Sequence, residues 1–339
     1  MEKEITLELV RVTEAAALMA SRYLGRGDKE SVDKTASDAM RGMLDYIEMR
    51  GTVVLGEGEK DKAPMLYIGE QVGRWEEDDP ELDIAVDPID GTRLVAYGLP
   101  NAISVIAATE KGGIEYLPTY YSYKLAVGPE LAGKLDINAT IRENLRVAAA
   151  ILGMEISELT CVVLNRDRHR EIIDEIRKVG ARIKLISDGD IAAAIATALP
   201  ESNVNIYIGI GGSPEALLAA AALKSLGGEI QVKLWPIDEN ERLKLAEQGY
   251  DFEKVYRTDD LIKSDNVIFA ATGVTDGDML EGVRFYKNVA LTDSIVMRSR
   301  TRTIRRIKAQ HNLTYKTVPL KSSGEIRYLN GFKKNNSNY

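Results

Sequence analysis

Cysteine, histidine and phenylalanine are scarce in this chain, whose 339 residues include one cysteine, two histidines and four phenylalanines. With Cys161 alone, no intramolecular disulfide can form, which fits a reducing compartment. Cys161 lies in an apolar, strand-like run, and we interpret it as an inert core thiol. A nucleophilic cysteine would need a histidine partner, and the sequence offers only His169 and His311 for that role.

Long apolar runs are also missing. The sequence contains no stretch of 18 uninterrupted apolar residues and no secretory signal, so we expect a cytoplasmic protein. The net charge of −8 argues against a general affinity for nucleic acid or anionic membranes. The charge is uneven, since the segment 298–339 carries eleven Lys or Arg and one acid. We interpret that basic end as a solvated face or a subunit contact rather than an anion site.

The length and the hydrophobic content of 45% allow two domains with sizeable cores. Apolar residues at helical spacing predict helices over 5–24 and 31–49. Strand-like segments follow at 52–55, 83–87, 102–108 and 124–127. The second half alternates strand, turn and helix, which is typical of an α/β layer. We predict an N-terminal domain over 1–145, a C-terminal α/β domain over 146–325 and a frayed tail over 326–339.

The most informative segment reads Asp-Ile-Ala-Val-Asp-Pro-Ile-Asp-Gly-Thr and ends at Thr92. Its apolar start predicts a buried strand that Pro88 should end, and Gly91 permits a tight bend. Asp87, Asp90 and Thr92 would then be presented together at the carboxyl end of the strand. Hard cations such as Mg²⁺ and Mn²⁺ bind clustered carboxylate oxygens, and two such ions beside a hydroxyl are suited to hydrolysing a phosphate ester.

Two further acidic turns follow apolar segments. A strand breaks at glycine before Glu57, which we predict as a metal ligand, whereas we interpret Glu59 and Asp61 as solvated or supporting groups. Glu215 falls in the first turn of a helix that follows a glycine turn, with Ser213 as its N-cap. There Glu215 could stabilise the helix dipole or supply an oxygen to a metal, and the residues alone leave both roles open.

Candidate substrate-binding groups lie in the second half of the chain. Asp190, in an Asp-Gly-Asp turn between strand and helix, suits an N-cap and a ligand for substrate hydroxyls equally well. Arg166 and Arg168 follow the Cys161 strand, where they could clamp a second phosphate or be ordinary surface charge.

Several phosphate-binding families do not fit the motifs of this chain. The glycine run Gly209-Ile-Gly-Gly-Ser-Pro214 ends in proline, so it is weak evidence for dinucleotide binding. No G-x-x-x-x-G-K-[ST] motif occurs, which excludes a P-loop. A phosphatase of the haloacid-dehalogenase type has its second aspartate two positions after the first, but Asp87 and Asp90 are three apart.

The motif Asp-Pro-Ile-Asp-Gly-Thr, preceded about thirty residues earlier by Gly-Glu-Gly-Glu, resembles the lithium-sensitive, metal-dependent sugar phosphatase superfamily. More narrowly, the chain resembles the class II fructose-1,6-bisphosphatases across nearly its whole length. The segments that carry this resemblance occur in order at 11–17, 25–29, 56–59, 63–70, 187–190, 211–215, 264–273 and 299–305.

This resemblance implies a mixed α/β (α+β) fold, a layered α-β-α-β-α sandwich of two domains like that of inositol monophosphatase and fructose-bisphosphatase. It also implies hydrolysis of the 1-phosphate of fructose 1,6-bisphosphate in gluconeogenesis, with two or more Mn²⁺ or Mg²⁺ ions per subunit. The metal ligands carried over by position are Asp33, Glu57, Asp87, Asp90 and Glu215. The catalytic residues would be Thr92, Asp33 and Glu57, with Thr92 positioning the attacking water. The substrate-binding residues would be Asp90, Gly91, Thr92, Tyr121, Arg166, Asp167, Arg168, Asp188, Gly189, Asp190 and Gly212.

The implied partner is a sugar bisphosphate bound by a homo-oligomer, a dimer or tetramer, with no nucleic acid or membrane partner. The alternative substrates are sedoheptulose 1,7-bisphosphate, alone or with the six-carbon sugar, an inositol phosphate and a bisphosphorylated nucleotide. A non-catalytic sugar-phosphate sensor could dispense with the metal carboxylates, but all five implied ligands are present. Many relatives carry glutamate at position 90, so the Asp90 carboxylate reaches about one methylene less far.

Overall fold

The computed structural model describes residues 3–58, 65–322 and 326–329. The helices of this part of the chain are α1 (Lys3–Ala20), α2 (Lys29–Leu44), α3 (Thr92–Tyr97), α4 (Ile141–Leu152), α5 (Arg170–Val179), α6 (Asp190–Ala196), α7 (Ser213–Leu226), α8 (Glu239–Glu247) and α9 (Thr258–Leu261). Short 3-10 turns cover Ser21–Tyr23, Ile156–Glu158, Asp167–His169 and Ser299–Thr301.

The strands are, in chain order, β1 (Arg50–Leu55), β2 (Gln71–Val72), β3 (Glu81–Asp90), β4 (Ile103–Glu110), β5 (Tyr121–Val127), β6 (Thr160–Leu164), β7 (Arg182–Ile186), β8 (Ile206–Gly212), β9 (Glu229–Trp235), β10 (Tyr256–Arg257), β11 (Ile268–Gly273), β12 (Arg284–Tyr286), β13 (Val289–Arg298), β14 (Thr303–Asn312), β15 (Thr317–Pro319) and β16 (Ile326–Tyr328).

The chain divides into two compact units. The first unit runs to Lys111 and resumes over Ile268–Val296 and from Ile304 onward. The second unit comprises Gly112–Val267 and Met297–Thr303. The chain thus returns to the first unit, whereas the sequence predicted a single boundary at residue 145. Local periodicity shows where an element begins, but not which distant elements share its core.

An eight-stranded sheet forms the centre of the first unit, in the order β12-β13-β11-β4-β3-β1-β2, with β14 also paired to β13. β3 runs parallel to β1 and antiparallel to β4, which in turn pairs antiparallel with β11. Amphipathic helices α1 and α2 share one buried cluster with β3, to which they contribute Leu9, Leu18, Met40 and Leu44. This packing holds α2 against the sheet and so fixes its position relative to the end of β3.

A six-stranded sheet forms the centre of the second unit, in the order β10-β9-β5-β8-β6-β7. β5 pairs antiparallel with both β8 and β9, and β6 runs parallel to β7 and β8. Leu145 of α4 and Ile176 of α5 lie in one buried cluster with Leu125, Val163 and Ile208 of the sheet. Helices packed on a sheet in each unit confirm the mixed α/β class and are consistent with the layered sandwich.

The predicted helix and strand positions are largely confirmed, but their ends differ. Helix α2 ends at Leu44, before the predicted end at 49. Strand β3 does not stop at Pro88, because a register shift between Asp87 and Asp90 accommodates the residue that lacks a backbone N–H. Among the helices of residues 3–58, 65–322 and 326–329, none has the length and apolar character needed to span a bilayer.

Two further segments differ from their predictions. The glycine run before α7 is not a turn, since β8 continues through Gly212 in register with Tyr121 of β5. Part of the tail that we predicted to be frayed is ordered, because Ile326–Tyr328 pairs antiparallel with Thr317–Pro319. The final residues, 330–339, lie outside the described part of the chain.

Candidate active site

The carboxyl end of β3 presents the predicted acidic turn. Asp87 is half-buried, and its Oδ1 accepts a hydrogen bond from the Ile89 N–H at 3.0 Å. Asp90, the last residue of the strand, is only 4% exposed. Gly91 then adopts φ +92° and caps α3, and a Cβ at this position would approach the Leu94 side chain to 2.7 Å. The turn therefore requires glycine for both its backbone conformation and its space.

Thr92 begins α3 directly after this turn, and its hydroxyl donates a short hydrogen bond to Oδ1 of Asp33. Asp33 lies in the second turn of α2, so the bond links two elements that are 59 residues apart in sequence. Burial raises the pKa of Asp33, against the opposing effects of the Thr92 hydroxyl and the Lys29 charge. The structure thus brings together Asp33 and Thr92, which we predicted as catalytic residues.

Glu57 follows β1, where the chain turns back on itself. The Glu57 N–H donates to the Leu66 carbonyl at 2.9 Å. A Cβ at Gly56 would lie 2.0 Å from the Leu66 carbonyl oxygen, so only glycine permits this approach. Glu57 is exposed to solvent on one side. Desolvation by the surrounding protein and the negative charge of Asp33 nevertheless raise the pKa of Glu57 to about 7. Glu57 and Asp33 therefore form a repelling acidic pair.

Two charged residues that were not predicted from the sequence hold this turn. The buried Arg41 guanidinium in α2 donates from Nε to Oε1 of Glu70 at 2.6 Å. The other carboxylate oxygen of Glu70 accepts a short hydrogen bond from the Leu66 N–H. Arg41 thereby fixes, through Glu70 and Leu66, the segment that binds the backbone of Glu57. The only indication of this role in the sequence is the position of Arg41, directly after the apolar residue Met40 of α2. Glu59 and Asp61 lie outside the described residues.

Asp190 of the second unit is buried among other polar groups. Its Oδ2 accepts hydrogen bonds from Lys124 Nζ at 2.8 Å and from the Tyr207 hydroxyl at 3.0 Å. Lys124 and Tyr207 are themselves 2% and 0% exposed. The predicted N-cap role of Asp190 is wrong, because Gly189 caps α6 and Asp190 is its first residue. The buried ammonium of Lys124 draws the carboxylate away from the helix end.

Glu215 lies in the first turn of α7, as predicted, but the helix is capped by Gly212 and not by Ser213. The backbone of Gly212 approaches the Glu215 carboxylate so closely that a Cβ there would lie 1.9 Å from Oε2. That oxygen is buried, and it has no hydrogen-bond partner among the described residues. Burial and the Asp190 charge raise the pKa of Glu215, while Lys124 opposes them. The Oε2 atom of this carboxylate is therefore buried without a hydrogen-bond donor from the described residues.

The two arginines predicted to clamp a second phosphate lie in different surroundings. Arg168 donates from Nε and Nη2 to the Ile210 carbonyl, at 3.2 and 2.9 Å, and stacks over the Tyr121 ring with 4.8 Å to the centroid. Arg166 lines a cleft of about 470 Å³ together with the exposed Asp167. The remaining predicted contacts, Asp188 and Gly189, form the turn before α6, where Gly189 has φ +77°.

Cys161 and His169 both belong to the core of the second unit. The Cys161 thiol is buried, and burial raises its pKa to about 12, which confirms an inert core thiol. His169 accepts at Nε2 from the Ile210 N–H and donates from Nδ1 to the Leu164 carbonyl, both at 2.7 Å. Because burial lowers the pKa of His169, the ring stays neutral and serves to fix β8.

The family of this chain follows from its similarity to known proteins. The family model described as bacterial fructose-1,6-bisphosphatase, glpX-encoded, matches residues 3–311. The chain belongs to this family. It is 45% identical over 329 residues to the fructose-1,6-bisphosphatase 1 class 2 of Escherichia coli (strain K12). The same identity relates it to the class 2 enzymes of Escherichia coli O6:H1 and Shigella flexneri, and each alignment covers 93% of this chain and 97% of the relative.

The fructose-1,6-bisphosphatases of this family are metal-dependent phosphatases. Within residues 3–58, 65–322 and 326–329, no three Asp, Glu, His or Cys side chains form a ready-made metal-binding group. The donor chemistry nevertheless fits a hard cation, because carboxylate oxygens are what Mg²⁺ and Mn²⁺ prefer. Two observations support this fit: the raised pKa of Glu57 beside Asp33, and the unpartnered, buried Oε2 of Glu215.

Proposed function

We propose that this protein hydrolyses the 1-phosphate of fructose 1,6-bisphosphate to release fructose 6-phosphate and inorganic phosphate, a reaction of gluconeogenesis. The chain belongs to the class 2 fructose-1,6-bisphosphatase family. The structural observation that supports the proposal most directly is the hydrogen bond from Thr92 to Asp33 at the end of the acidic turn. A hydroxyl held by a carboxylate can both orient a water molecule and receive a proton from it.

The proposed cofactors are two or more Mn²⁺ or Mg²⁺ ions per subunit. Asp33, Glu57, Asp87 and Asp90 of the first unit would hold them, and Glu215 is proposed as a further ligand because of its unpartnered oxygen. Such ions neutralise the charge of the bound phosphate and lower the pKa of water.

The protein's own groups would direct the attack. Because Thr92 Oγ1 donates its hydrogen to Asp33, its lone pairs are free to accept a hydrogen bond from a water molecule. As the water oxygen bonds to phosphorus, the bond from phosphorus to O1 of the sugar would break, a water proton would pass to Thr92 Oγ1 and the threonine proton to Asp33 Oδ1. The departing O1 would take up a proton from solvent to give the sugar hydroxyl.

Substrate orientation is assigned to a second group of residues. Asp90, Gly91 and Thr92 are proposed to contact the reacting phosphate through the turn of α3. In the second unit, Arg166, Asp167 and Arg168 are proposed to bind the other phosphate, with Tyr121 stacked against Arg168. The proposed contacts of the sugar hydroxyl groups are Asp188, Gly189, Asp190 and Gly212.

The experiment that tests this proposal is phosphate release from a panel of sugar bisphosphates and monophosphates with Mn²⁺, Mg²⁺ or EDTA. We expect release from fructose 1,6-bisphosphate in the presence of metal and none with EDTA. Sedoheptulose 1,7-bisphosphate in the same panel tests the seven-carbon alternative. Equal release from the monophosphates would contradict the bisphosphatase assignment. We further propose a homo-oligomeric, cytoplasmic enzyme, which sedimentation and cell fractionation would check.

A further inference from the structure

A second cleft lies in the second unit, at the carboxyl end of α7. It has a volume of about 570 Å³, within the range of small-molecule sites. Its floor is the chain from Gly227 to Glu229, where α7 leads into β9, and its rim includes the 3-10 turn Ser299–Thr301. None of the residues proposed for catalysis or substrate binding lines this cleft.

The three acids of the cleft are paired with two of its cations, Lys224 and Arg257. Lys224 Nζ lies 2.9 Å from the Asp259 carboxylate and 3.5 Å from that of Asp265, and it also donates to the Ile262 carbonyl at 2.7 Å. Arg257 forms a short ion pair with Glu229. These pairs leave neither Lys224 nor Arg257 fully available to a ligand.

Two further cations of the cleft form no such ion pair with a carboxylate of the described residues. Arg300 and Arg302 both line it and are exposed. Within the described parts of the chain, 3–58, 65–322 and 326–329, no carboxylate pairs with either guanidinium. The cleft therefore carries four cationic and three acidic side chains, and its excess positive charge resides in these two arginines. Guanidinium groups so placed match the oxygens of a phosphate or a carboxylate.

The backbone at Arg302 supports a role for its side chain. Arg302 adopts φ +47° and ψ +36°, the left-handed conformation that costs a residue other than glycine, asparagine or aspartate some stability. Glycine would remove that cost but would also remove the cation. Residues held in such conformations cluster at ligand-binding and active sites, and Arg302 lines a charged cleft of that size.

We propose that this cleft binds a small organic dianion, a phosphomonoester or a dicarboxylate, through Arg300 and Arg302. The site is separate from Glu215, because the twelve residues from Glu215 to Gly227 place them roughly 18 Å apart along α7. Part of the basic segment that was interpreted from the sequence as a solvated face or a subunit contact is thereby assigned to an anion site.

The test is a calorimetric titration of the metal-loaded protein with methylphosphonate and, separately, with malonate, neither of which a phosphatase can hydrolyse. The wild type is compared with the double variant Arg300→Gln/Arg302→Gly. Arg146→Ala, which removes an exposed arginine of α4 outside the cleft, is the matched control. Anion binding to the metal ions of the proposed catalytic site is common to all three proteins and is measured as the residual binding of the double variant.

We expect the double variant to bind at least one probe tenfold or more weakly at the cleft, while Arg146→Ala binds like the wild type. Loss of methylphosphonate binding alone assigns a phosphorylated ligand, and loss of malonate binding alone assigns a carboxylate. The melting temperature of the double variant should be unchanged or higher, since glycine relieves the strain at position 302. Equal affinities of the wild type and the double variant for both probes would overturn the proposal, as would an equal loss in Arg146→Ala.

Discussion

Asp190 of the second unit and the pair Asp33 and Glu57 of the first unit differ in whether a cationic side chain of the protein binds the carboxylate. In the second unit, Asp190 accepts hydrogen bonds from the ammonium of Lys124 and the hydroxyl of Tyr207. In the first unit, Oδ1 of Asp33 accepts a hydrogen bond from the neutral hydroxyl of Thr92, and its neighbour Glu57 has a pKa raised to about 7. A carboxylate that is paired with a cationic side chain of the protein contributes to the fold. Carboxylates that repel each other are stabilised in their charged form when an external cation binds.

The same pattern in sequence leads to different surroundings in the two units. Asp87 lies near the end of β3, shortly before α3, and Asp190 is the first residue of α6, shortly after β7. What separates them is the identity of a side chain from another strand, in this case Lys124 of β5. Three sets of variants and one pH dependence test whether this contrast between the units holds, and they differ in the size of the expected effect.

Asp87→Ala should abolish turnover, with a loss of at least about 10⁴-fold, because a metal ligand carries several kcal/mol of transition-state stabilisation. Steady-state phosphate release with saturating Mn²⁺ measures the loss, and circular dichroism checks the fold. The exposed Asp78→Ala is the matched control and should keep wild-type activity. Activity of Asp87→Ala within tenfold of wild type would refute the assignment of Asp87 to the metal.

Lys124→Met should destabilise the second unit by about 3–5 kcal/mol, because it leaves the buried Asp190 carboxylate without its cation. Urea unfolding measures the change. Adding Asp190→Asn should recover part of the loss. Lys111→Met breaks an ion pair with Glu81 of similar length but high exposure to solvent, so it should change stability far less than Lys124→Met does. Equal losses of stability in the two lysine variants would contradict the expected difference between the buried and the exposed ion pair.

Thr92→Ala should lower kcat about a hundredfold and leave KM nearly unchanged, because the hydroxyl is proposed to act on the attacking water and not on the ground state. Full kinetics on fructose 1,6-bisphosphate separate the two constants. Thr92→Ser keeps the hydroxyl and should retain most of the activity. A raised KM with an unchanged kcat would instead show that Thr92 binds substrate.

The stability of the protein should depend on pH because of the buried His311 of the first unit. Burial and the Lys316 charge lower the pKa of His311 from 6.5 to about 4. The unfolded chain therefore takes up a proton before the folded chain does, so stability falls as the pH drops from 6.5 towards 4, by about 2 kcal/mol at pH 5.

Urea unfolding of the wild type and of His311→Gln at pH 8 and pH 5 isolates the contribution of this histidine. The neighbouring Glu14 and Thr292 are the same in both proteins, so their effects cancel in the difference. An identical pH dependence in the two proteins would show that His311 is not held neutral by the fold.

Much of the site could be predicted because its signals are local. Asp87, Asp90 and Thr92 stand within six residues, and Gly91 between them indicates the bend that presents them. The same local rules failed where a distant side chain competed. An N-cap was one of two roles predicted equally for Asp190, but Gly189 caps α6 and a buried lysine 66 residues away binds the Asp190 carboxylate. The proline at 88 was predicted to end β3, but a shift in strand register accommodates it.

The sequence alone determined the family resemblance, the mixed α/β class and the residue types of the acidic turn, because these depend on motifs and on periodicity along the chain. Only the tertiary structure decided which charges meet. It paired Lys124 with Asp190, joined Arg41 to Glu70 behind Glu57, turned Arg168 onto the Ile210 carbonyl and left Arg300 and Arg302 facing a cleft. The physical reason is that burial and Coulomb interactions depend on distance in space, which residue spacing along a chain does not specify.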